Sequence, residues 1–223
     1  MNHRDTTDSR DRLLAITLHL REVRANNGVN SATRDKILAT AMTMFTRRGY
    51  AGTSMRDIAK EVGIKAASIY AHCPEGKEQM LHLALQATFD QFLEYITREI
   101  RFEMTPLEQL RSLFRRHVQW QLEVGERAMA WDAAINQFGV LGVLSDEALS
   151  SIRRTQALYH AYHLSLVRIV AATQDPEDSA VALRVLCDQA PEWTVGATRA
   201  GEPDDRPARL SQLAARILGV PDF

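Results

Sequence analysis

Cysteine is scarce in this chain of 223 residues, which contains only Cys73 and Cys187, far apart and outside any Cys-x-x-Cys pair. This spacing argues against a disulfide framework and favours two reduced thiols. No apolar run approaches the ~18 residues that a membrane-spanning helix needs. The polar N-terminal residues "MNHRDTTDSRDR" contain no hydrophobic leader. These absences predict a cytoplasmic protein with no membrane partner.

Glycine and proline are also sparse, with 11 and 7 residues, and strand-like alternation of apolar and polar residues is almost absent. The long stretches between them repeat their apolar residues at helical spacing, which predicts an all-α fold. Thr33 and Ser54 are expected to cap helices that end at Gly49 and Gly63. Further helices are predicted at 11–25, 65–72, from Lys77 onward, from Pro106 onward, and at 126–138, 145–173, 176–190 and 207–218.

Charge is unevenly distributed along the chain, although the net charge is only −1. Residues 1–81 hold 13 lysines and arginines against 9 acidic residues, whereas residues 82–223 hold 14 against 19. A basic front and an acidic back are typical of a small polyanion-binding module joined to a module of another kind.

Two short helices around "EVGIK" predict a helix-turn-helix, in which the second helix enters the major groove of DNA. The small residues Ala66, Ala67 and Ser68 would let the start of that helix approach base edges closely. Lys65, Tyr70 and His72 are able to donate hydrogen bonds to phosphates. Arg56, near the start of the preceding helix, and Lys77, at the start of the next helix, are also able to reach a phosphate.

The string "TRDKILATAMTMFTRRGYAGTSMRDIAKEVGIKAASIYAHCPEGKEQML" resembles the DNA-binding domain of the TetR family of transcriptional regulators. Agreement runs in order across some fifty residues, which makes the resemblance specific. The residues that agree are Ile37, Leu38, Ala41, Phe45, Gly49, Tyr50, Thr53, Ser54, Ile58, Ala59, Gly63, Ile64, Tyr70, His72, Lys77 and Glu78.

Three features depart from the family pattern. Lys65 stands where the family usually has a serine-type cap, so the second helix is expected to be weakly capped. Cys73 replaces a phenylalanine and removes an aromatic anchor. The turn "PEGKE" is one residue longer than the commonest form, which changes the reach of Lys77.

The resemblance implies an N-terminal extension (1–31), a three-helix helix-turn-helix domain (32–80), and a helical ligand-binding and dimerisation domain (81–223). It further implies a homodimer that binds operator DNA, and a repressor released by a small-molecule effector. We expect no cofactor and no metal. The dimer interface is expected in the last two long helices, at about 145–173 and 176–190. The expected DNA-binding residues are Ser54, Arg56, Lys65, Ala66, Ala67, Ser68, Tyr70, His72 and Lys77.

The C-terminal segment is also similar to TetR-type regulators of fatty-acid, steroid and acyl-CoA metabolism, through Trp193, Thr194, Arg199, Gly201 and Leu210. An acyl-CoA or lipid-like acid is therefore the first expected effector, and a hydrophobic aromatic compound is the second. Apolar residues with polar groups are the expected lining of its pocket. This candidate set is His117, Trp120, Trp131, Phe138, Tyr159, Tyr162 and His163, for which ordinary core packing is the alternative.

Other interpretations stay open at this point. His160 and His163 lie three residues apart on one helix face, but a metal site would need further ligands. Cys73 is either a redox-sensitive thiol or a small buried residue. The chain lacks GxSxG, HExxH and a phosphate-binding glycine loop, which argues against an enzyme. A DNA-binding regulator without a small-molecule ligand is the remaining alternative.

Overall fold

A computed structural model describes residues 3–26, 31–124, 142–193 and 205–223. Within these ranges the chain forms nine α-helices, a short 3-10 turn at Ala190–Glu192, and no strand, which confirms the all-α prediction. The helices are α1 (His3–Asn26), α2 (Ser31–Arg48), α3 (Met55–Val62), α4 (Ala66–His72), α5 (Lys77–Thr97), α6 (Pro106–Val124), α7 (Asp146–Val170), α8 (Pro176–Asp188) and α9 (Arg206–Leu218).

Two helices begin earlier than the sequence pattern predicts. Helix α1 starts at His3 instead of residue 11, and its first turns are supported by an ion pair of 3.1 Å between Arg12 and Asp8. Helix α2 starts at Ser31, so Thr33 lies inside its first turn and does not cap it. The predicted helix at 126–138 lies outside the described residues, as do the pocket candidates Trp131 and Phe138.

The chain divides into two compact units, whose boundaries fall inside α1, α5 and α7. The described residues of the first unit lie within Met1–Leu18, Leu93–Gly125 and Leu158–Phe223. Those of the second unit lie within His19–Phe92 and Glu126–Ala157. The domain boundaries expected from the sequence, after residues 31 and 80, stay predictions.

The second unit contains the helix-turn-helix. Helix α2 packs on α3, and α3 packs on α4. Ile37 and Phe45 of α2, Ile58 of α3 and Ile69 of α4 are buried in one apolar cluster, as their helical spacing predicts. Gly63 ends α3 in the left-handed region at φ 83°, where its N–H donates to the carbonyls of Ala59 and Lys60. Residues that carry a side chain rarely adopt this backbone conformation, so glycine permits the sharp turn into α4.

The first unit is built around α6, which packs against α8 and α9. Leu110, Leu113, Phe114 and Val118 of α6 are buried there. Asp175 caps α8 by accepting a hydrogen bond of 3.0 Å from the backbone N–H of Asp178. Along the described ranges, no helix combines the length and apolar character required to cross a bilayer.

Candidate nucleic-acid interface and buried polar cluster

Helix α4 presents most of its surface to solvent. Ile69 is its only fully buried residue, whereas Ala66, Ala67, Ser68 and Tyr70 are exposed. Tyr70 is 48% exposed, which is high for a large side chain with an aromatic ring. One apolar anchor therefore holds the helix on the core and leaves the predicted reading residues on its outer surface.

Lys65 precedes α4 in an extended conformation, and its side chain makes no capping hydrogen bond. This result confirms the expectation of a weakly capped helix. The lysine side chain is itself exposed, next to the small residues at the start of α4. His72, the last residue of the helix, is half-buried.

Ser54 and Asp57 form a reciprocal capping box at the start of α3. The Asp57 N–H donates to the Ser54 hydroxyl at 3.2 Å, and the Ser54 N–H donates to the Asp57 carboxylate at 3.1 Å. Hydrogen bonds from the Ser54 hydroxyl and N–H lower the pKa of Asp57. Arg56 lies in the same first turn and is exposed. Ser54 therefore positions the helix that carries Arg56.

Lys77 points back into the helix-turn-helix. Its ammonium group donates to the carbonyl oxygens of Tyr50 at 2.9 Å and Thr53 at 3.1 Å. The same ammonium group lies 4.1 Å from the centroid of the Tyr50 ring. These contacts attach the start of α5 to the turn between α2 and α3. The structure thus shows a positioning contact for Lys77, whereas its role toward phosphate stays a prediction.

Cys73 is 1% exposed at the C-cap of α4, and burial raises the pKa of its thiol. A redox-sensitive cysteine requires an accessible, low-pKa thiol. The structure therefore favours the second interpretation of Cys73, a small buried residue. Its position corresponds to the missing phenylalanine anchor.

Four of the predicted pocket residues are buried in the first unit, and three of them meet in one cluster. The Nδ1 atom of His117 is 2.9 Å from the Tyr159 hydroxyl, and the Tyr159 ring stacks on the His163 ring with centroids 5.7 Å apart. Tyr162 is buried separately and donates to the Gln109 side chain at 2.9 Å. Trp120 packs edge-on against Tyr95 with centroids 5.2 Å apart.

Three further residues belong to this cluster and were missed in the sequence. Asp188 lies 3.0 Å from the Nε2 atom of His117, and Gln121 approaches both groups. Arg184 donates to the Nε2 atom of His160 at 2.8 Å. Both Arg184 and Asp188 come from α8, a helix distant in sequence from α6 and α7. Only the packing of helices brings them to the histidines.

The cluster disfavours positive charge on His163. Burial lowers the pKa of its imidazole to about 3, and the neighbouring His117, Arg184 and His160 act in the same direction. His163 is therefore a neutral, buried ring at neutral pH. No three His, Cys, Asp or Glu side chains in the described ranges are placed to hold a metal ion.

The exposed α4, anchored beside α3 through a glycine turn, defines the class as a helix-turn-helix protein. Residues 37–84 match the family described as "Bacterial regulatory proteins, tetR family". The chain thus carries the N-terminal domain of the tetR family, which confirms the resemblance drawn from the sequence.

Curated relatives agree with this assignment over the N-terminal part. The chain is 38% identical over 65 residues to the biofilm operon negative transcriptional regulator IcaR of Staphylococcus epidermidis, a match that covers 29% of this chain and 35% of that protein. It is 38% identical over 81 residues to the transcriptional repressor KstR2 of Mycolicibacterium smegmatis, covering 36% and 39%. Each match thus spans little more than a third of the relative, and these names are those of regulators and not of enzymes.

Solved structures extend the likeness in fold to most of the chain. A tetR-family regulatory protein from Rhodococcus RHA1 superposes with a TM-score of 0.69 at 22% identity, over 85% of this chain and 98% of that one. AibR in complex with isovaleryl coenzyme A and operator DNA superposes with a TM-score of 0.64 at 20% identity, over 86% and 100%. At these identities the likeness is one of fold.

Proposed function

We propose that this protein is a dimeric, sequence-specific DNA-binding transcriptional regulator, and specifically a cytoplasmic repressor that a small molecule releases from its operator. The observation that carries the proposal is the outward presentation of α4 within a tetR-family N-terminal domain. Ile69 faces the core while Lys65, Ala66, Ala67, Ser68 and Tyr70 face solvent. A recognition helix requires this one-sided anchoring, because base edges are reached only by unburied residues.

The proposed DNA contacts fall into two chemical groups, those at base edges and those to phosphates. Ala66 and Ser68 are short, so they allow the helix backbone to enter the major groove, with Lys65 beside them. Tyr70, His72 and Arg56 supply donors for phosphates, which set the register of the helix without reading sequence. Ser54 and Lys77 act through the scaffold, since one caps α3 and the other holds the turn before it.

Association of two copies is proposed to involve α8, within the segment 176–190 that the resemblance implies. Val181 and Val185 of this helix are each 50% exposed and lie four residues apart, on one helix face. Exposed apolar residues aligned on one face are typical of association surfaces. A homodimer would place two α4 helices on one operator with half-site spacing near one helical turn of DNA.

An effector is proposed to bind in the first unit, at the cluster of His117, Tyr159 and His163. Buried aromatic rings with a few polar atoms match a pocket for an apolar molecule that carries a polar group. AibR, which has a similar fold, was crystallised with isovaleryl coenzyme A, and another structure of similar fold is named a ketosteroid transcriptional regulator, KstR2 of Mycobacterium tuberculosis. These names support an acyl-CoA or another hydrophobic compound as the effector class.

Coupling between effector and DNA is proposed to run through α5, because this helix contributes residues to both units. An effector changes DNA binding only if it binds one arrangement of the two helix-turn-helix domains of the dimer better than another arrangement. A coupling of ~1–3 kcal/mol would change operator affinity by about 5–150-fold.

Fluorescence anisotropy with DNA flanking the protein's own gene tests the DNA-binding proposal. We expect preference for one fragment over random DNA of equal length at moderate salt. Arg56→Ala should weaken binding to specific and random DNA alike and reduce the salt slope by about one, because one phosphate contact is lost. Arg153→Ala, an exposed arginine of α7, is the matched control and should leave both values unchanged.

The contrary result is equal affinity for all fragments at moderate salt, with no difference between Arg56→Ala and the control. The effector part is tested separately by thermal shift with acyl-CoAs and hydrophobic aromatic compounds, because a ligand of the native state raises the melting temperature. If DNA binding holds and no compound of either class shifts melting, the alternative of a regulator without such a ligand is supported.

A further inference from the structure

The end of α3 is held by a side chain from α2. The ammonium group of Lys36 donates a hydrogen bond of 3.0 Å to the backbone carbonyl of Val62, the last residue of α3. The two partners are 26 residues apart, so the contact depends on the packing of α2 against α3. Lys36 lies outside both the expected DNA-binding set and the apolar cluster of the helix-turn-helix.

The carbonyl that Lys36 reaches is one that the glycine turn does not satisfy. In this turn the Gly63 N–H donates to the carbonyls of Ala59 and Lys60, and the Ile64 N–H donates to that of Ala59 at 2.9 Å. No backbone N–H in the described ranges donates to the carbonyl of Val62. The last carbonyls of a helix lack partners within the helix, and a lysine there donates to them and is favoured by the helix dipole.

The same turn determines where α4 begins. Three residues, 63–65, separate the end of α3 from Ala66, the first residue of α4. Helix α4 has no side-chain cap from Lys65, and Ile69 is its only fully buried residue. A helix of seven residues with one apolar anchor depends on its neighbours for its orientation. A shift at the end of α3 would therefore displace the residues that are expected to approach base edges.

Two lysines from outside α3 bond the backbone at its two ends. Lys77 donates to carbonyls before the start of α3, and Lys36 donates to the carbonyl at its end. We propose that Lys36 is a positioning residue for DNA recognition, which fixes the turn between α3 and α4 and does not itself contact DNA. This inference rests on the proposed function of α4 as the recognition helix. Loss of Lys36 should then weaken sequence preference and leave the number of phosphate contacts unchanged.

Binding of Lys36→Met to the preferred DNA fragment and to random DNA, each at several salt concentrations, tests this role. Lys36 is exposed, so methionine leaves the core intact while it removes the donor to Val62. We expect affinity for the preferred fragment to fall about three- to tenfold, because a displaced α4 loses part of its base contacts. Affinity for random DNA and the salt slope should keep their wild-type values, because phosphate contacts supply both.

Lys36→Arg and Lys60→Met are the matched variants. Arginine keeps a donor for the Val62 carbonyl, so affinity for the preferred fragment should return to within about twofold of wild type. Lys60 is exposed on α3, and Lys60→Met removes one positive charge while the Lys36 contact remains, so sequence preference should be unchanged. An equal loss of affinity for both DNAs in Lys36→Met, with a salt slope smaller by about one, would identify Lys36 as a phosphate contact and overturn the proposal.

Amide hydrogen exchange of the free protein separates this inference from the proposed function. The N–H groups of Gly63 and Ile64 close the turn, so they should exchange at least about threefold faster in Lys36→Met than in wild type or Lys60→Met. Unchanged exchange at both amides would overturn the positioning role, whether or not the protein prefers any DNA fragment. Faster exchange in a protein that binds all fragments equally would refute recognition by α4, and with it the role of Lys36 in DNA binding, while its hold on the turn would stand.

Discussion

At the scale of single residues, the role and charge state of a side chain in this protein depend on its local environment more than on its residue type. His163 illustrates this, because a histidine on a helix reads equally well as a ligand, a catalytic group or a packed ring. Its ring is buried and stacks on Tyr159, and the Arg184 guanidinium adds positive charge to its surroundings. Burial first, and the nearby positive charge second, keep the imidazole of His163 neutral, so protonating this ring opposes folding.

Acidification should therefore destabilise the protein through His163. The folded pKa is about 3, and that of an unfolded histidine is about 6.5. The unfolded chain binds the proton more readily between these values, so stability is fully present above pH 6.5 and falls as the pH drops through this window. The loss from pH 7 to pH 5 is about 2 kcal/mol for this one group.

Urea denaturation of wild type and His163→Phe at several pH values measures this contribution. On going from pH 7 to pH 5, the free energy of unfolding of wild type should fall by about 2 kcal/mol more than that of the variant. Phenylalanine keeps a ring against Tyr159 and has no proton to bind. Parallel pH profiles for the two proteins would contradict the prediction.

At the scale of elements, side chains at residues 78, 86 and 90 of α5 make polar contacts with other segments of the second unit. Glu78 accepts from the N–H of Ser145 at 2.8 Å, Gln86 donates to Thr155 at 2.7 Å, and Asp90 lies 2.7 Å from His19. His82, between them, has a buried Nε2 atom without a partner. These polar contacts join α5 to α1 and to the start and middle of α7. Lys77 joins the same helix to the turn before α3.

Loss of the Lys77 contact should loosen the helix-turn-helix. Lys77→Met keeps the aliphatic stem and leaves the carbonyls of Tyr50 and Thr53 without the ammonium donor. We expect a destabilisation of about 1–3 kcal/mol, the range for an unsatisfied buried polar group. Native-state hydrogen exchange should show faster exchange for amides of α3 and α4, since these elements lose their attachment to α5.

Lys60→Met is the matched control, because Lys60 is an exposed lysine of α3. It should leave the exchange rates of α4 within experimental error of wild type. Equal exchange in the two variants would show that the Lys77 contact contributes nothing to the position of α4.

At the scale of the whole molecule, self-association is the property on which the proposed operator binding depends. One exposed pair on α8, Val181 and Val185, has a counterpart on α1, where Leu14 and Leu18 are 45% and 47% exposed. Both pairs have four-residue spacing, so exposure alone does not choose between them. If α8 forms the interface as proposed, charged substitutions of the α8 pair should disrupt the dimer and those of the α1 pair should not.

Val181→Asp combined with Val185→Asp should convert a dimer into a monomer, because two buried charges on each copy would face each other across the interface. Leu14→Asp combined with Leu18→Asp is the matched control and should leave the dimer intact. Light scattering after size-exclusion chromatography reads both results. A wild-type monomer, or a dimer that only the α1 pair disrupts, would contradict the α8 interface.

Local signals in the sequence were sufficient for the helix-turn-helix. Ser54 with Asp57 and the left-handed Gly63 act over three or four residues, so α3 and the turn into α4 follow from the chain itself. The apolar spacing of Ile58 and Ile69 also specifies which faces are buried. The start of α1 was missed because its first turns are polar and lack a periodic stripe.

The contacts between distant segments were decided only by tertiary structure. Nothing near Lys77 in sequence indicates that its ammonium group bonds Tyr50 and Thr53, and nothing near His117 indicates Asp188. Arg111 likewise donates to the carbonyl of Asp222 at 2.9 Å, across a separation of 111 residues. Caps and periodicity depend on neighbours along the chain, whereas a hydrogen-bond partner or a cleft depends on how helices pack, and that packing is the sum of many weak contacts.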